Sequence, residues 1–104
     1  MDRGDVRWLA FKTPDKTRPV LILSRDVAVR RLSEIVVASF TTKVRHVSSE
    51  VVLTPADGMP RVCAVNFDQL HTVRQSDLGP LICRLDHPQM KEVRDAVLFA
   101  LGFE

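Results

Sequence analysis

Short apolar runs separated by turn-forming clusters make up most of the chain, and several alternate with the two-residue period of half-buried strands. Val6–Phe11, just behind Gly4, reads as a first strand. Arg18–Ser24 (Arg-Pro-Val-Leu-Ile-Leu-Ser) is a continuous apolar run, which predicts a strand buried on both faces. Pro19 belongs at its beginning, where a missing backbone donor is tolerated. Ile35–Thr42 and Glu50–Thr54 are a third and a fourth strand, joined by the polar, basic connection Lys43–Ser48. Arg61–Leu70 alternates, with Cys63, Val65 and Phe67 on one face and Ala64, Asn66 and Asp68 on the other. That second face suits solvent or a polar ligand. Leu81–Leu85 is the last strand.

Turn chemistry separates these runs. Thr13–Thr17, with Pro14 and Asp15, is a loop; Pro55–Pro60 (Pro-Ala-Asp-Gly-Met-Pro) and Ser76–Gly79 are turns. Asp26–Ser33 has the composition of one or two helical turns, with Asp26 as the cap. The spacing of Met90, Val93, Val97 and Leu101 predicts one longer helix over Asp86–Leu101. Asp86 with Gln89 forms a capping box, Pro88 suits the first turn, and Gly102 is a stop signal. Phe99 lies away from the main stripe, which implies a second packing surface.

Six short strands, one short helical insertion and a closing amphipathic helix define a mainly β fold with a C-terminal helix. Tight turns between such strands favour an antiparallel, strongly bent sheet or small barrel. All 104 residues fit one domain (1–104), and a domain this small with a spare apolar helix face gains from dimerising. No apolar stretch reaches membrane-spanning length and no signal-like segment opens the chain, so a cytoplasmic location is expected and no membrane partner. Cys63 and Cys83 lie far apart inside apolar strands and read as buried free thiols.

The formal net charge of +2 decides little by itself; the distribution matters more. Basic residues gather at Arg3 and Arg7, at Lys12, Lys16 and Arg18, and at Lys43, Arg45 and His46. If these groups converge they form a stripe attractive to phosphate; if they do not, they are scattered solvated charge. His46, His71 and His87 show no metal-ligand spacing, and no glycine-rich phosphate loop or nucleophile elbow is present. No metal or other cofactor is expected. What remains is Arg, Thr, Asp, Asn and Gln at strand edges, groups suited to a phosphodiester and to the base edges of single-stranded RNA. Arg18, where a basic loop meets a buried strand, fits either a bidentate phosphate contact or a rim salt bridge. Thr41 and Thr42 end a strand beside the basic connection and, taken alone, are ordinary strand residues.

Several segments, in order, resemble one family. Arg3-Gly4-Asp5-Val6 ahead of a Trp-containing strand resembles the opening of MazF/PemK toxins. Arg18-Pro19-Val20-Leu21-Ile22 is similar to their Arg-Pro-Val-Leu-Val strand, and Ile35–Thr42 to a strand ending in Thr-(Thr/Ser). Asn66–Val73 (Asn-Phe-Asp-Gln-Leu-His-Thr-Val) is similar to their (Asp/Glu)-Gln-Ile-Arg-Thr-Ile block, with Asp77-Leu78-Gly79 and the last helix following. Together these segments cover nearly the whole chain.

The resemblance implies a small SH3-like barrel of the MazF/Kid/CcdB type, acting as a homodimer. It implies a toxin that cuts single-stranded RNA without a metal, by attack of the RNA's own 2′-hydroxyl, and that a cognate antitoxin silences. Arg18 and Thr41 would be catalytic. Lys16, Thr42, Lys43, Arg45, Asp68 and Gln69 would contact RNA in a groove at the dimer interface. Thr13–Thr17 departs from the family's Gly-Ser-Glu loop: it is shorter and has no glutamate, so no general base is assigned and the cleavage sequence stays open. Two alternatives remain on the same architecture, a CcdB-like toxin that poisons gyrase and a non-catalytic SH3-like binding module.

Overall fold

The computed structural model describes residues 1–11 and 16–104; for Phe11 and Lys16 it gives the backbone only. Six strands, β1 (Asp5–Phe11), β2 (Lys16–Ile22), β3 (Glu34–Thr41), β4 (Glu50–Leu53), β5 (Cys63–Arg74) and β6 (Leu78–Arg84), form one antiparallel sheet in the order β4-β5-β3-β2-β1-β6. Two helices, α1 (Asp26–Arg31) and α2 (His87–Leu101), complete it.

The sheet is curled and has an apolar layer on each face. One layer joins Val6, Leu21, Ala38, Phe40, Val65 and Phe67 to Val93 and Ala96 of α2. The other packs Leu9, Val20, Ile22, Ile35 and Val37 against Val29 of α1. Val20, Leu21 and Ile22 are each fully buried, so the doubly buried β2 expected from its unbroken apolar run is what forms. Arg18, before them, is exposed. The curl brings the turn after β4 against β6 at the far edge, with Cys83 Sγ 3.6 Å from Met59 Sδ. That turn is a short 3-10 helix, Pro55–Asp57, capped reciprocally by Thr54 and Asp57. It ends at Gly58 with φ +100°, where an added Cβ would also lie 2.9 Å from Cys83 Cβ. Only glycine fits both demands.

α2 forms as its sequence signals require. Asp86 accepts from Gln89 N while Gln89 Oε1 accepts from Asp86 N, both at 2.8 Å, and Gly102 terminates the helix in the left-handed region. Gln89 also reaches Asp57 at 3.0 Å, tying the helix start to the capped turn. Val93 and Ala96 are its buried residues; Leu101, expected on the inner stripe, is the last helical residue and is 49% exposed. Phe99 is exposed, as its angular position predicts.

Three local readings need correction. Asp26 is not the cap of α1: Arg25 holds that position without a side-chain bond, and the Asp26 carboxylate accepts instead from Arg3 N at 2.7 Å. The final strand starts at Leu78 rather than Leu81, and β5 continues to Arg74. The two-faced alternation of Arg61–Leu70 fails as well, since Cys63, Ala64, Val65, Asn66 and Phe67 are all buried. Between the pairs Ala38–Leu70 and Phe40–Val65, β3 advances two residues while β5 advances five. The surplus around Asn66–Gln69 arches out of the ladder as a bulge, and alternation cannot continue through it. No helix among the described residues is long and apolar enough to cross a membrane.

Candidate functional site

A cleft of about 880 Å³ opens where β2 begins and β3 ends, beside the connection that leads into β5. The β2–β3 register pairs Val20 with Ser39; continuing it by two residues sets Arg18 opposite Thr41. Both residues line the cleft, together with Thr42, Lys43 and Arg61. An aromatic and apolar wall is supplied by Trp8, Pro19 and Phe40.

The charge in this cleft is of one sign. Among the described residues Arg18, Lys43 and Arg61 line it and no Asp or Glu does. Among the described residues the single side-chain salt bridge, Arg84 to Asp5 at 3.2 Å, involves none of them. Among the described residues no carboxylate pairs with Arg18, as the rim salt bridge its position also allowed would require. Three cations without a carboxylate partner among the described residues, around a concave space, suit an anion.

Thr41 has a defined hydrogen-bonding state. Its Oγ1 accepts from Lys43 N at 3.1 Å, a turn that pins the hydroxyl oxygen. The hydroxyl proton stays available for donation, and a phosphate oxygen opposite Arg18 is a suitable acceptor. Cys63 also lines the cleft, and burial pushes its thiol up to about 11, with Cys83 adding to the shift. It is a neutral, weakly nucleophilic lining residue at neutral pH.

Other expected members of the site lie apart from this cleft. Arg45 is exposed, and its N–H donates to the buried Glu50 Oε1 at 3.0 Å. Asp68 accepts from Ser49 Oγ at 2.7 Å, and its own N–H donates to Asn66 Oδ1 at 2.9 Å. Asp68 and Gln69 thus ride on the β5 bulge, exposed, and are not among the lining residues of the cleft. The Lys16 side chain, Lys12 and Asp15 lie outside the described residues. Of the basic groups read from the sequence, Arg3 and Arg7 do not converge here. Arg3 donates from Nε to Leu23 O, and Arg7 from Nη1 to Gly79 O. Arg61 and Trp8, conversely, enter the cleft without having been singled out. Arg61 stood in a segment read as the start of a strand, and no local pattern marked it as a site residue. Among the described residues no group of three or more His, Cys, Asp or Glu side chains is placed to hold a metal ion.

Residues 2–101 match the family model of PemK-like, MazF-like toxins of type II toxin–antitoxin systems. The chain is 39% identical over 100 residues, 95% of this chain and 91% of the relative, to a probable endoribonuclease, MazF5, of Mycobacterium tuberculosis. It is 38% identical over 103 residues, 98% of this chain and 99% of the relative, to a probable endoribonuclease, MazF2, of the same species. Among solved structures, a mycobacterial endoribonuclease in complex with its cognate antitoxin superposes with a TM-score of 0.90 at 25% identity, covering 100% of this chain and 97% of that one.

Proposed function

The chain belongs to the family of PemK-like, MazF-like toxins of type II toxin–antitoxin systems, and from that premise we propose that its cationic cleft binds and cuts single-stranded RNA. The observation that carries the reading is the convergence of Arg18 and Thr41 in a cleft that, among the described residues, is lined by three cations and no carboxylate. The chain is thus an endoribonuclease toxin that inhibits growth by destroying RNA.

The chemistry follows from what these side chains can do. The RNA's 2′-hydroxyl oxygen attacks the adjacent phosphorus and loses its proton to solvent, the bond from phosphorus to the 5′ oxygen breaks, that oxygen takes up a proton from solvent, and the products are a cyclic phosphate and a free 5′-hydroxyl. DNA lacks the nucleophile and is not a substrate. Negative charge grows on the non-bridging oxygens as the fifth bond forms. The Arg18 guanidinium serves as a fixed, bidentate partner for that charge rather than as a base. Thr41 donates its hydroxyl proton to the same group, and holding the phosphate between the two aligns the attack. Lys43, Thr42 and Arg61 hold flanking phosphates. Lys16, Arg45, Asp68 and Gln69 complete the RNA contact in a homodimer, where a second copy extends the groove beyond one chain's cleft.

A cognate antitoxin is the protein partner, by analogy with the mycobacterial complex. An acidic antitoxin segment lying in the cleft inhibits by competing with RNA for the same cations. Two free cysteines and an RNA substrate both suit the cytoplasm. A gyrase-binding toxin or a passive binding module, the alternatives left open by the sequence, has no use for unpaired cations and a poised hydroxyl in one cleft. Incubating the purified protein with a mixed single-stranded RNA in EDTA is expected to give discrete fragments that end in cyclic phosphate, with single-stranded DNA uncut. Intact RNA across varied sequences, or cleavage that vanishes on chelation, contradicts the proposal.

A further inference from the structure

The cleft holds more than phosphate chemistry uses. Trp8 is the chain's single tryptophan, and the chain has no tyrosine. It lies half-buried on β1 and lines the cleft. Across the β1–β2 ladder it stands directly opposite Pro19, also a lining residue, and Arg18 is the next residue along β2. β6 closes on it from the other side. A Cβ at Gly79 would come 3.3 Å from the Trp8 carbonyl oxygen and 3.4 Å from its Cβ, a tight contact, so the two strands approach closely here. Arg7, beside Trp8 in sequence, donates from Nη1 to the Gly79 carbonyl at 3.0 Å and fastens the two strands. The Trp8 backbone is thus held between β2 and β6, while the residue is half-buried and lines the cleft.

A large aromatic held this way, one position from the cation that meets phosphate, matches a nucleotide rather than a bare anion. Every nucleobase carries a flat π face, and stacking on aromatic side chains is the usual way that proteins hold unpaired bases. Resting on the RNA-cleaving reading of the same cleft, we propose that Trp8, backed by Pro19, is a nucleobase-stacking subsite for the nucleotide next to the phosphate held by Arg18. Stacking accepts any base, so Trp8 supplies affinity and alignment and leaves sequence choice to other contacts.

Because Trp8 is the only tryptophan, its emission reports on this subsite alone. Titrating the wild-type protein with a mixed-sequence 2′-O-methyl RNA, which lacks a free 2′-hydroxyl and is not cut, is expected to quench the indole saturably. An abasic ribose-phosphate oligomer of equal length should leave emission unchanged. With cleavable mixed RNA, Trp8→Ala is expected to raise KM roughly tenfold with a smaller loss in kcat, and Trp8→Phe to restore most of the difference. Emission unchanged by a 2′-O-methyl RNA that competes with cleavage overturns the subsite, and so does a folded Trp8→Ala with the wild-type KM. A wild-type protein that cuts no RNA removes the cleavage reading instead, and the two failures are told apart by the quenching titration, which needs no turnover.

Discussion

Thr41 offers one proton to the cleft, and its oxygen is already occupied by Lys43 N–H. Thr41→Val keeps the shape and removes the donor, so the cleavage rate is expected to fall by roughly 10²-fold, the usual cost of losing one donor aimed at developing charge. Thr41→Ser should recover much of it; single-turnover rates on one RNA check both. Cys63 makes a separate prediction. Its folded-state pKa, about 11, exceeds the ordinary 9.0 because burial disfavours the thiolate. The folded state therefore binds more protons than the unfolded state above pH 9, and the stability this thiol contributes, whole below 9, is lost as pH rises toward 11. Urea midpoints measured between pH 8 and 11 should decline less in Cys63→Ala, once its own lower starting stability is subtracted; parallel declines contradict the assignment. Asp5, by contrast, is a buried acid whose carboxylate accepts from Asp2 N and from Arg84. Arg84 is largely exposed, so the ion pair adds little and the fixed opening turn is what Asp5 secures.

Elements formed where local chemistry and burial pointed the same way. α2 carries its start, stop and inner face in sequence, and Asp86→Ala is expected to cost about 1 kcal/mol by deleting one arm of the capping box, read as a lower urea midpoint at constant slope. Gly58→Ala should cost more, about 2 kcal/mol or above, because it combines a left-handed φ with a contact on Cys83. Wild-type stability of that variant would mean that the turn is free to move away from β6. The doubly buried β2 was legible for a similar reason, an unbroken apolar run with a proline near its head. β5 was not. Its period-two pattern holds only where the ladder is regular, and the bulge around Asn66–Gln69 depends on partners in β3 and β4 that no local window contains. Asp26 misled in the same way: a helix-capping residue by composition, it is claimed by the distant Arg3 N–H.

At the scale of the molecule, the candidate site divides by what sets each residue's position. Arg18 and Thr41 end adjacent strands, so the strand pattern and the family motifs place them together. Arg61 and Trp8 join them through the curl of the sheet, a global property that charge clusters along the chain do not encode. Arg45, Asp68 and Gln69 lie apart from the cleft of a single chain, which is where the proposed homodimer matters. Phe99, Leu101 and Phe103 are exposed at the end of α2 and give a small domain an apolar surface to cover. Sedimentation at micromolar concentration should return roughly twice 11.7 kDa. A monomer that still cuts RNA at full rate would mean that one chain's cleft suffices.

Position 18 is where fold, charge and chemistry meet, and replacing it tests all three. Wild-type and Arg18→Ala proteins, matched for folding by circular dichroism, are incubated with the same RNA under single-turnover conditions in EDTA. Arg18→Ala is expected to cut roughly 10²–10³-fold more slowly while still binding RNA. Equal rates for the two proteins would show that this guanidinium does not meet the scissile phosphate.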